Sequence, residues 1–230
     1  MNSWIRTLMT TVGLTLALLG EPLRVSAATD EAAPPNRVFD VYLDDRAMGT
    51  HRFEYSGTRS DLKVRSAASF IVKVAFVTVY SYEHLAEEHW QNGCLVGVES
   101  TTDTNEDFAV SAQHRDGALA VRTLAGESRY ELSCPSTFAY WDPALRTRTE
   151  LVSAQSGKRI AISWTRNGEV SMATEEGTVP ALSWTLSGED VEATIYYDSE
   201  DRWLGLDSPL GGERTLHYRP ARADPFYPFD

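Results

Sequence analysis

Two tyrosines and a histidine recur at every second position in one short segment of the chain. They are Tyr80, Tyr82 and His84, and Trp90 follows shortly after them. On an extended strand these three side chains share one face, because successive side chains point to opposite sides. With Trp90 as a floor, they would suit a cavity that holds the polar head of a fatty ligand, such as a carboxylate. The alternative is a structural aromatic wall whose polar tips bond to neighbouring backbone.

Metal chemistry has weaker support in the sequence. His84 and His89 enclose Glu87 and Glu88, but their spacing places the two imidazoles on different sides of a strand or a helix. Zinc needs three or four converging ligands, so we expect no metal site here. No segment indicates a cofactor.

A partial calcium motif occurs at Asp103, Asn105 and Asp107, which have the alternating oxygen ligands that open a calcium-binding loop. The motif then fails, since Phe108 stands where the loop needs glycine and His114 stands where it needs a bidentate glutamate. A solvated hairpin tip is the better interpretation.

Nucleophilic catalysis also lacks a local pattern. Ser136 follows Pro135 without the glycine elbow that exposes a hydrolase serine. An envelope enzyme with His84 or His114 as general base stays open as an alternative. None of the five histidines has a nucleophile or a carboxylate at a spacing typical of a catalytic motif. They are residues 51, 84, 89, 114 and 217.

The elements that would position these residues are strands. Apolar residues alternate with polar ones along most of the chain, which is typical of half-buried strands. The inward positions include Phe39, Val41 and Leu43; His51, Phe53 and Tyr55; Leu119 and Val121; Tyr130 and Leu132; Ile160, Ile162 and Trp164; Leu182, Trp184 and Leu186; Val191, Ala193, Ile195 and Tyr197; Leu216 and Tyr218.

Turn residues separate these strands at hairpin spacing. They are Asp116-Gly117, Ser156-Gly157, Asn167-Gly168, Ser187-Gly188 and Gly211-Gly212. We therefore expect an all-β fold, a single antiparallel meander of roughly a dozen strands. Helix should be limited to Glu83–Trp90, which is rich in helix formers, and to a short piece that begins at Asp142-Pro143.

A meander of this length should curl, because strand twist accumulates across a large sheet. A half-barrel, a roll or a closed barrel would each give one apolar inner face and one charged outer face. An outer-membrane barrel is disfavoured, since strands carry charges on their alternate face, such as Arg52 with Glu54 and Arg129 with Glu131.

The first residues of the chain resemble an export signal. Arg6 precedes an apolar stretch from Leu8 to Leu19, and small residues follow at Ala27 and Ala28. The stretch is too short to span a bilayer. We expect a signal peptide at 1–27, a spacer at 28–36, one antiparallel β domain at 37–220 and a tail at 221–230, in a soluble periplasmic or secreted protein.

Cys94 and Cys134 are the only cysteines of the chain. An even count in an oxidising compartment favours a disulfide between them, and two buried free thiols are the alternative.

Acidic residues outnumber basic ones by 33 to 21, which gives a net charge of −12 at pH 7. Nucleic acid and anionic membrane surfaces would repel such a protein, so partners of those classes are not expected.

Five segments of the chain carry a resemblance to a known family: FIVKVAFVTVYSYEHLAEEHWQNGCL, STTD, CPSTFAYWDPAL, AQSG and IYYDSEDRWLGLDSPLGGERTLHYR. Together they resemble domain-of-unknown-function family 6134, a family of exported bacterial proteins. More distantly, the Tyr-x-Tyr-x-His strand with a following Trp is similar to the spiral β-roll envelope family, domain of unknown function 3108. The second resemblance implies a curved antiparallel sheet, and neither implies a catalytic residue.

Three functions follow from these features. The first is a non-catalytic envelope protein that binds an apolar or lipid-like molecule in its curved sheet. The second is an envelope enzyme of the hydrolase type. The third is a structural partner of another envelope protein.

Overall fold

The computed structural model describes residues 31–74, 77–104, 106–174, 177–222 and 224. The predicted signal peptide therefore lies outside the described residues, as does most of the predicted tail. Fourteen strands form one antiparallel sheet. The strands are β1 (Arg37–Leu43), β2 (Arg46–Gly57), β3 (Asp61–Val74), β4 (Val77–Gln91), β5 (Cys94–Asp103), β6 (Asp107–Arg115), β7 (Ala118–Thr123), β8 (Gly126–Glu131), β9 (Glu150–Val152), β10 (Arg159–Thr174), β11 (Gly177–Gly188), β12 (Val191–Tyr197), β13 (Trp203–Pro209) and β14 (Thr215–Pro220).

The sheet consists of two meanders joined at the chain's two ends. Its order is β8-β7-β6-β5-β4-β3-β2-β1-β14-β13-β12-β11-β10-β9. The junction is the antiparallel pair β1 and β14, in which Val41 lies opposite Tyr218. Among the described strands, β8 and β9 are the edges and do not pair with each other. The predicted all-β meander is confirmed, and the sheet is curled but not closed.

The main core lies on the concave face of the sheet. Residues that alternate along the strands are buried there, such as Phe39 and Val41 on β1 and Ile195 and Tyr197 on β12. Their neighbours in sequence point to the convex face, which gives the period of two that the sequence displays. Trp164 and Trp184 pack against the same core, so their predicted inward orientation is confirmed.

Residues 132–158 form a crossover segment that runs from the end of β8 to the start of β10 and includes β9. The backbone N–H of Leu95 donates to the carbonyl of Pro135, at 2.9 Å. Further along, the Trp141 ring lies 5.3 Å from Trp90 of β4, and Tyr140 lies 5.4 Å from Trp203 of β13. The crossover segment therefore packs against both meanders and fills part of the concave face.

A disulfide joins Cys94 to Cys134, as the sequence indicated, with the two Cα atoms 4.8 Å apart. Cys94 begins β5 and Cys134 lies near the start of the crossover segment. The Arg148 guanidinium donates to the carbonyls of Cys134 and Gly93, at 3.0 and 2.9 Å. The bridge and this arginine together fix the crossover segment to the turn between β4 and β5.

The predicted helix at Glu83–Trp90 is wrong, because these residues form the second half of β4. They pair along their length with β3 and with β5. Ala86, Glu88 and Trp90 are buried on one side, so the segment has a strand period of two despite its helix-forming composition. Packing on both flanks overrides the weak intrinsic propensity.

The second predicted helix is present as a 3₁₀ helix at Pro143–Thr147. Asp142 caps it by accepting a hydrogen bond from the backbone N–H of Ala144, at 3.0 Å. Proline occupies its first turn, where the missing N–H costs nothing.

Two of the five predicted turns are wrong. Asn167-Gly168 lies within β10, where the register shifts between Arg166 and Gly168, so the glycine marks a bulge. Ser187 and Gly188 still pair within the sheet, and the chain reverses between Gly188 and Val191 instead. Asp190 takes a left-handed conformation there, with φ 57°.

Candidate functional site

A cavity of about 410 Å³ lies between the concave face and the crossover segment. Strands from both meanders and residues 137–141 of the crossover segment line it. Seven aromatic rings contribute to its wall: Phe53, Tyr82, Phe138, Tyr140, Trp141, Trp203 and Tyr218. Its polar side chains are His51, Ser66, His84, Glu88, Thr137, Ser153, Gln155, Asp190 and Ser208.

The four residues selected from the sequence have different positions relative to this cavity. Tyr82 and His84 line it. Tyr80 is partly buried farther along β4 and is not part of the lining. Trp90 is 1% exposed and lies behind the wall, with its ring against Trp141. The structure thus brings Tyr82 and His84 together at the cavity and leaves Tyr80 and Trp90 outside it.

Tyr82 and His84 are held by contacts on several elements. The Tyr82 ring stacks on Phe70 of β3, with centroids 5.2 Å apart, and its hydroxyl donates to Gln155 Oε1 at 3.2 Å. The His84 Nδ1 atom lies 2.8 Å from the hydroxyl of Thr102 on β5. Burial raises the pKa of Tyr82 and lowers that of His84, so both side chains are neutral near pH 7.

His51 occupies the centre of a second polar group on the wall. Its Nε2 atom lies 2.6 Å from Ser66 Oγ, and its Nδ1 atom lies 3.2 Å from the Tyr218 hydroxyl. The imidazole also stacks on Phe53, with centroids 4.2 Å apart. Burial lowers the pKa of His51 to about 3, and the charge of nearby His84 contributes. His51 is therefore a neutral hydrogen-bonding group.

This buried neutral imidazole should make the protein sensitive to acid. As pH falls below about 6.5, His51 becomes protonated in the unfolded chain but stays neutral in the folded chain. The free energy of unfolding therefore decreases. We expect a loss of about 2–3 kcal/mol from this group between pH 7 and pH 4. Urea unfolding at both pH values should therefore show a smaller loss for His51→Gln than for the wild type. Identical losses in the two proteins would contradict the assignment.

Glu88 is the most deeply buried carboxyl of the lining, at 9% exposure. Its Oε1 atom accepts from the Thr137 hydroxyl at 2.8 Å, and its Oε2 atom accepts from the indole N–H of Trp90 at 2.9 Å. Burial raises the pKa of Glu88, and these two hydrogen bonds oppose the rise only in part. Sequence reasoning placed Glu88 in a doubtful metal cluster and missed its position in the cavity.

The two histidines of the metal candidate do not converge on one point. His84 lines the cavity, whereas His89 is half-buried outside the lining, with its Nε2 atom 2.6 Å from Oδ1 of Asp61. Asp103 and Asp107 face each other across a hairpin, and Asn105 lies outside the described residues. In the part of the chain that the structure describes, no three His, Cys, Asp or Glu side chains are grouped so that they could hold a metal ion.

The remaining catalytic candidates have structural partners. His114 Nε2 lies 2.7 Å from the carbonyl oxygen of Leu132, to which it donates. Ser136 is buried, and its hydroxyl donates to the carbonyl of Thr137 at 2.9 Å. Neither side chain lines the cavity.

Three larger grooves lie on the described part of the protein, with volumes of about 590, 860 and 1000 Å³. Charged side chains line part of each groove. They include Arg52 and Glu83 in the first, Lys63 and Glu99 in the second, and Glu169 and Arg202 in the third. The 410 Å³ cavity differs from these grooves in its seven aromatic rings, and it combines apolar with polar side chains as ligand sites do.

The pattern of this chain over residues 39–221 matches the family model described as Domain of unknown function (DUF6134). The chain belongs to this family. Its fold is similar to the crystal structure of a beta-barrel-like protein of Domain of Unknown Function DUF1849 from Brucella abortus, with a TM-score of 0.61 and 10% sequence identity. The similarity covers 84% of this chain and 98% of that one, and it supports the resemblance to a β-roll.

No curated protein sequence matches the chain at a significant level. Within the described residues, no helix has the length and apolar character that a membrane crossing requires.

Proposed function

We propose that this DUF6134 protein is a non-catalytic binding protein of the bacterial envelope that holds one small, largely apolar molecule in the cavity. The observation that carries the proposal is the cavity itself, with about 410 Å³ of space and seven aromatic rings around it. Ligand pockets of proteins have volumes of roughly 300–1000 Å³, apolar walls and a few fixed polar groups.

The polar groups of the wall suit recognition. Tyr82, His84 and His51 are each held by a hydrogen bond to a side chain outside their own strand. Groups that are fixed in this way before the ligand arrives lose little entropy on binding. They would orient a polar atom of the ligand while the aromatic rings hold its apolar part.

One contact favours hydrolysis as a second function. Ser66 Oγ lies 2.6 Å from His51 Nε2, which is the arrangement of a nucleophile and its base. The other nitrogen of His51 faces a tyrosine hydroxyl instead of a carboxylate, and the low pKa of the imidazole makes it a weak base. Binding is therefore the better-supported function, and hydrolysis predicts ester cleavage that Ser66→Ala abolishes.

We include the periplasm, as the compartment of the protein, in the same proposal. The apolar leader at residues 8–19 and the disulfide between Cys94 and Cys134 both favour export to the periplasm, where disulfides persist.

Binding can be tested with a neutral fluorescent probe, N-phenyl-1-naphthylamine, titrated into the purified protein. We expect saturable enhancement of its fluorescence at one site per chain. Ala193 lies on the wall and is 2% exposed, so Ala193→Phe adds a ring to the cavity and should weaken probe binding at least about tenfold.

Ala125→Phe is the matched control, because Ala125 is exposed in the turn before β8. It should bind the probe as the wild type does. Thermal unfolding of both variants shows whether each is folded. Equal binding by folded Ala193→Phe and by the wild type would place the probe elsewhere, and the absence of any binding would refute the proposal.

A further inference from the structure

The cavity contains a buried carboxyl whose hydrogen-bond partners are uncharged. Both oxygens of Glu88 accept hydrogen bonds, from Thr137 and from Trp90. Among the described residues no lysine, arginine or histidine forms an ion pair with it. An ionised carboxylate in such surroundings raises the free energy of the folded protein unless a positive charge lies nearby.

The rest of the lining supplies no positive charge. Among the described residues that line the cavity, none is a lysine or an arginine. Its two imidazoles, His51 and His84, are neutral near pH 7, and its other ionisable side chain besides tyrosines is the carboxyl of Asp190. A ligand with a carboxylate or phosphate head would therefore find no countercharge in the lining.

One aromatic side chain contacts the carboxyl, and a second packs against the first. Trp90 donates its indole N–H to Glu88 and packs edge-on against Trp141, which lines the cavity. The faces of tryptophan and tyrosine rings attract cations, and the attraction grows when water is excluded. A carboxylate beside aromatic rings is a combination that recognises organic cations.

We propose that the ligand's polar group is a protonated amine that pairs with Glu88 beside Trp141, while its apolar part fills the aromatic cavity. This inference rests on the proposed binding function and specifies its ligand class. It replaces the carboxylate head considered from the sequence with a group of opposite charge.

The test uses three competitors with the same alkyl chain: n-octylamine, n-octanol and octanoate. Each is titrated against the bound N-phenyl-1-naphthylamine at neutral pH, in about 0.5 M salt to screen the acidic surface. We expect octylamine to displace the probe at a concentration at least about tenfold lower than octanol, as one charge-assisted hydrogen bond would give. Octanoate should be the weakest competitor.

Glu88→Gln removes the charge and keeps groups that can bond to Thr137 and Trp90. We expect it to weaken displacement by octylamine at least about tenfold and to leave octanol within about twofold. Glu87→Gln is the matched control, since Glu87 is exposed on the opposite face of β4 and should change neither value.

The outcomes separate the two proposals. If octanol or octanoate displaces the probe as well as octylamine does, or if Glu88→Gln leaves octylamine unchanged, the amine inference is overturned and the binding function stands. If the wild type binds no probe, both are overturned. Thermal unfolding of Glu88→Gln confirms that any loss of displacement comes from a folded protein.

Discussion

Replacing Trp203 with alanine should lower the free energy of unfolding by about 3–5 kcal/mol. Trp203 is 2% exposed, and the centroid of its ring lies 4.2 Å from that of Phe39 and 5.3 Å from that of Phe53. Its indole N–H also donates to the carbonyl of Gly205, at 2.9 Å. The substitution removes the aromatic contacts of β13 with β1 and β2 and enlarges the cavity. Urea unfolding measures the loss of stability.

Trp203→Phe is the matched control for this experiment. It keeps a ring against Phe39 and loses the indole hydrogen bond, so we expect a smaller loss, of about 1–2 kcal/mol. A loss below about 1 kcal/mol for Trp203→Ala would mean that the two meanders are held together by other contacts.

Removing the disulfide should lower the free energy of unfolding by a similar amount. The double variant Cys94→Ser, Cys134→Ser opens a link between residues separated by 40 positions, and we expect it to lose about 3–4 kcal/mol. The crossover segment would then be held at this end by hydrogen bonds such as those of Arg148. Since that segment forms one wall of the cavity, binding of the neutral probe should weaken as well.

The wild-type protein treated with a reductant provides an independent comparison. Its stability should fall to the value of the double variant, and Ellman titration after unfolding should find no free thiol in the untreated protein. Two free thiols in protein produced in the periplasm would contradict the bridge.

The fold was predictable because the alternation of apolar residues is a local property. Phe39 and Val41, or Ile195 and Tyr197, are two positions apart, and both members of each pair are buried. Such pairs are sufficient to define strands and their inner face. The curl of the sheet followed from the number of strands in the meander.

The errors arose where local composition and tertiary packing disagree. Glu83–Trp90 has helix-forming residues, but two neighbouring strands pair with it and Trp90 must enter the core. Asn167-Gly168 has turn residues, but β11 continues opposite it and the extra residue becomes a bulge. Most of these competing contacts join residues more than ten positions apart, so a short sequence window does not display them.

The site was only partly predictable for a related reason. Tyr82 and His84 share a strand face, which the sequence displays. The opposite wall comes from Tyr140 and Trp141 in the crossover segment, which reach the cavity only because the sheet curls around them. One local signal was available for Glu88, because it stands in phase with Ala86 and Trp90 and is therefore a charge on a buried face.

The most direct test of the central claim is the location of a bound molecule. A crystal of the protein soaked with a brominated apolar alcohol would give an anomalous bromine signal that marks the ligand's position. We expect one peak inside the cavity, within contact distance of Phe53, Trp203 or Tyr218. A peak in the outer grooves, or no peak at saturating concentration, would contradict a ligand-binding role for the concave face.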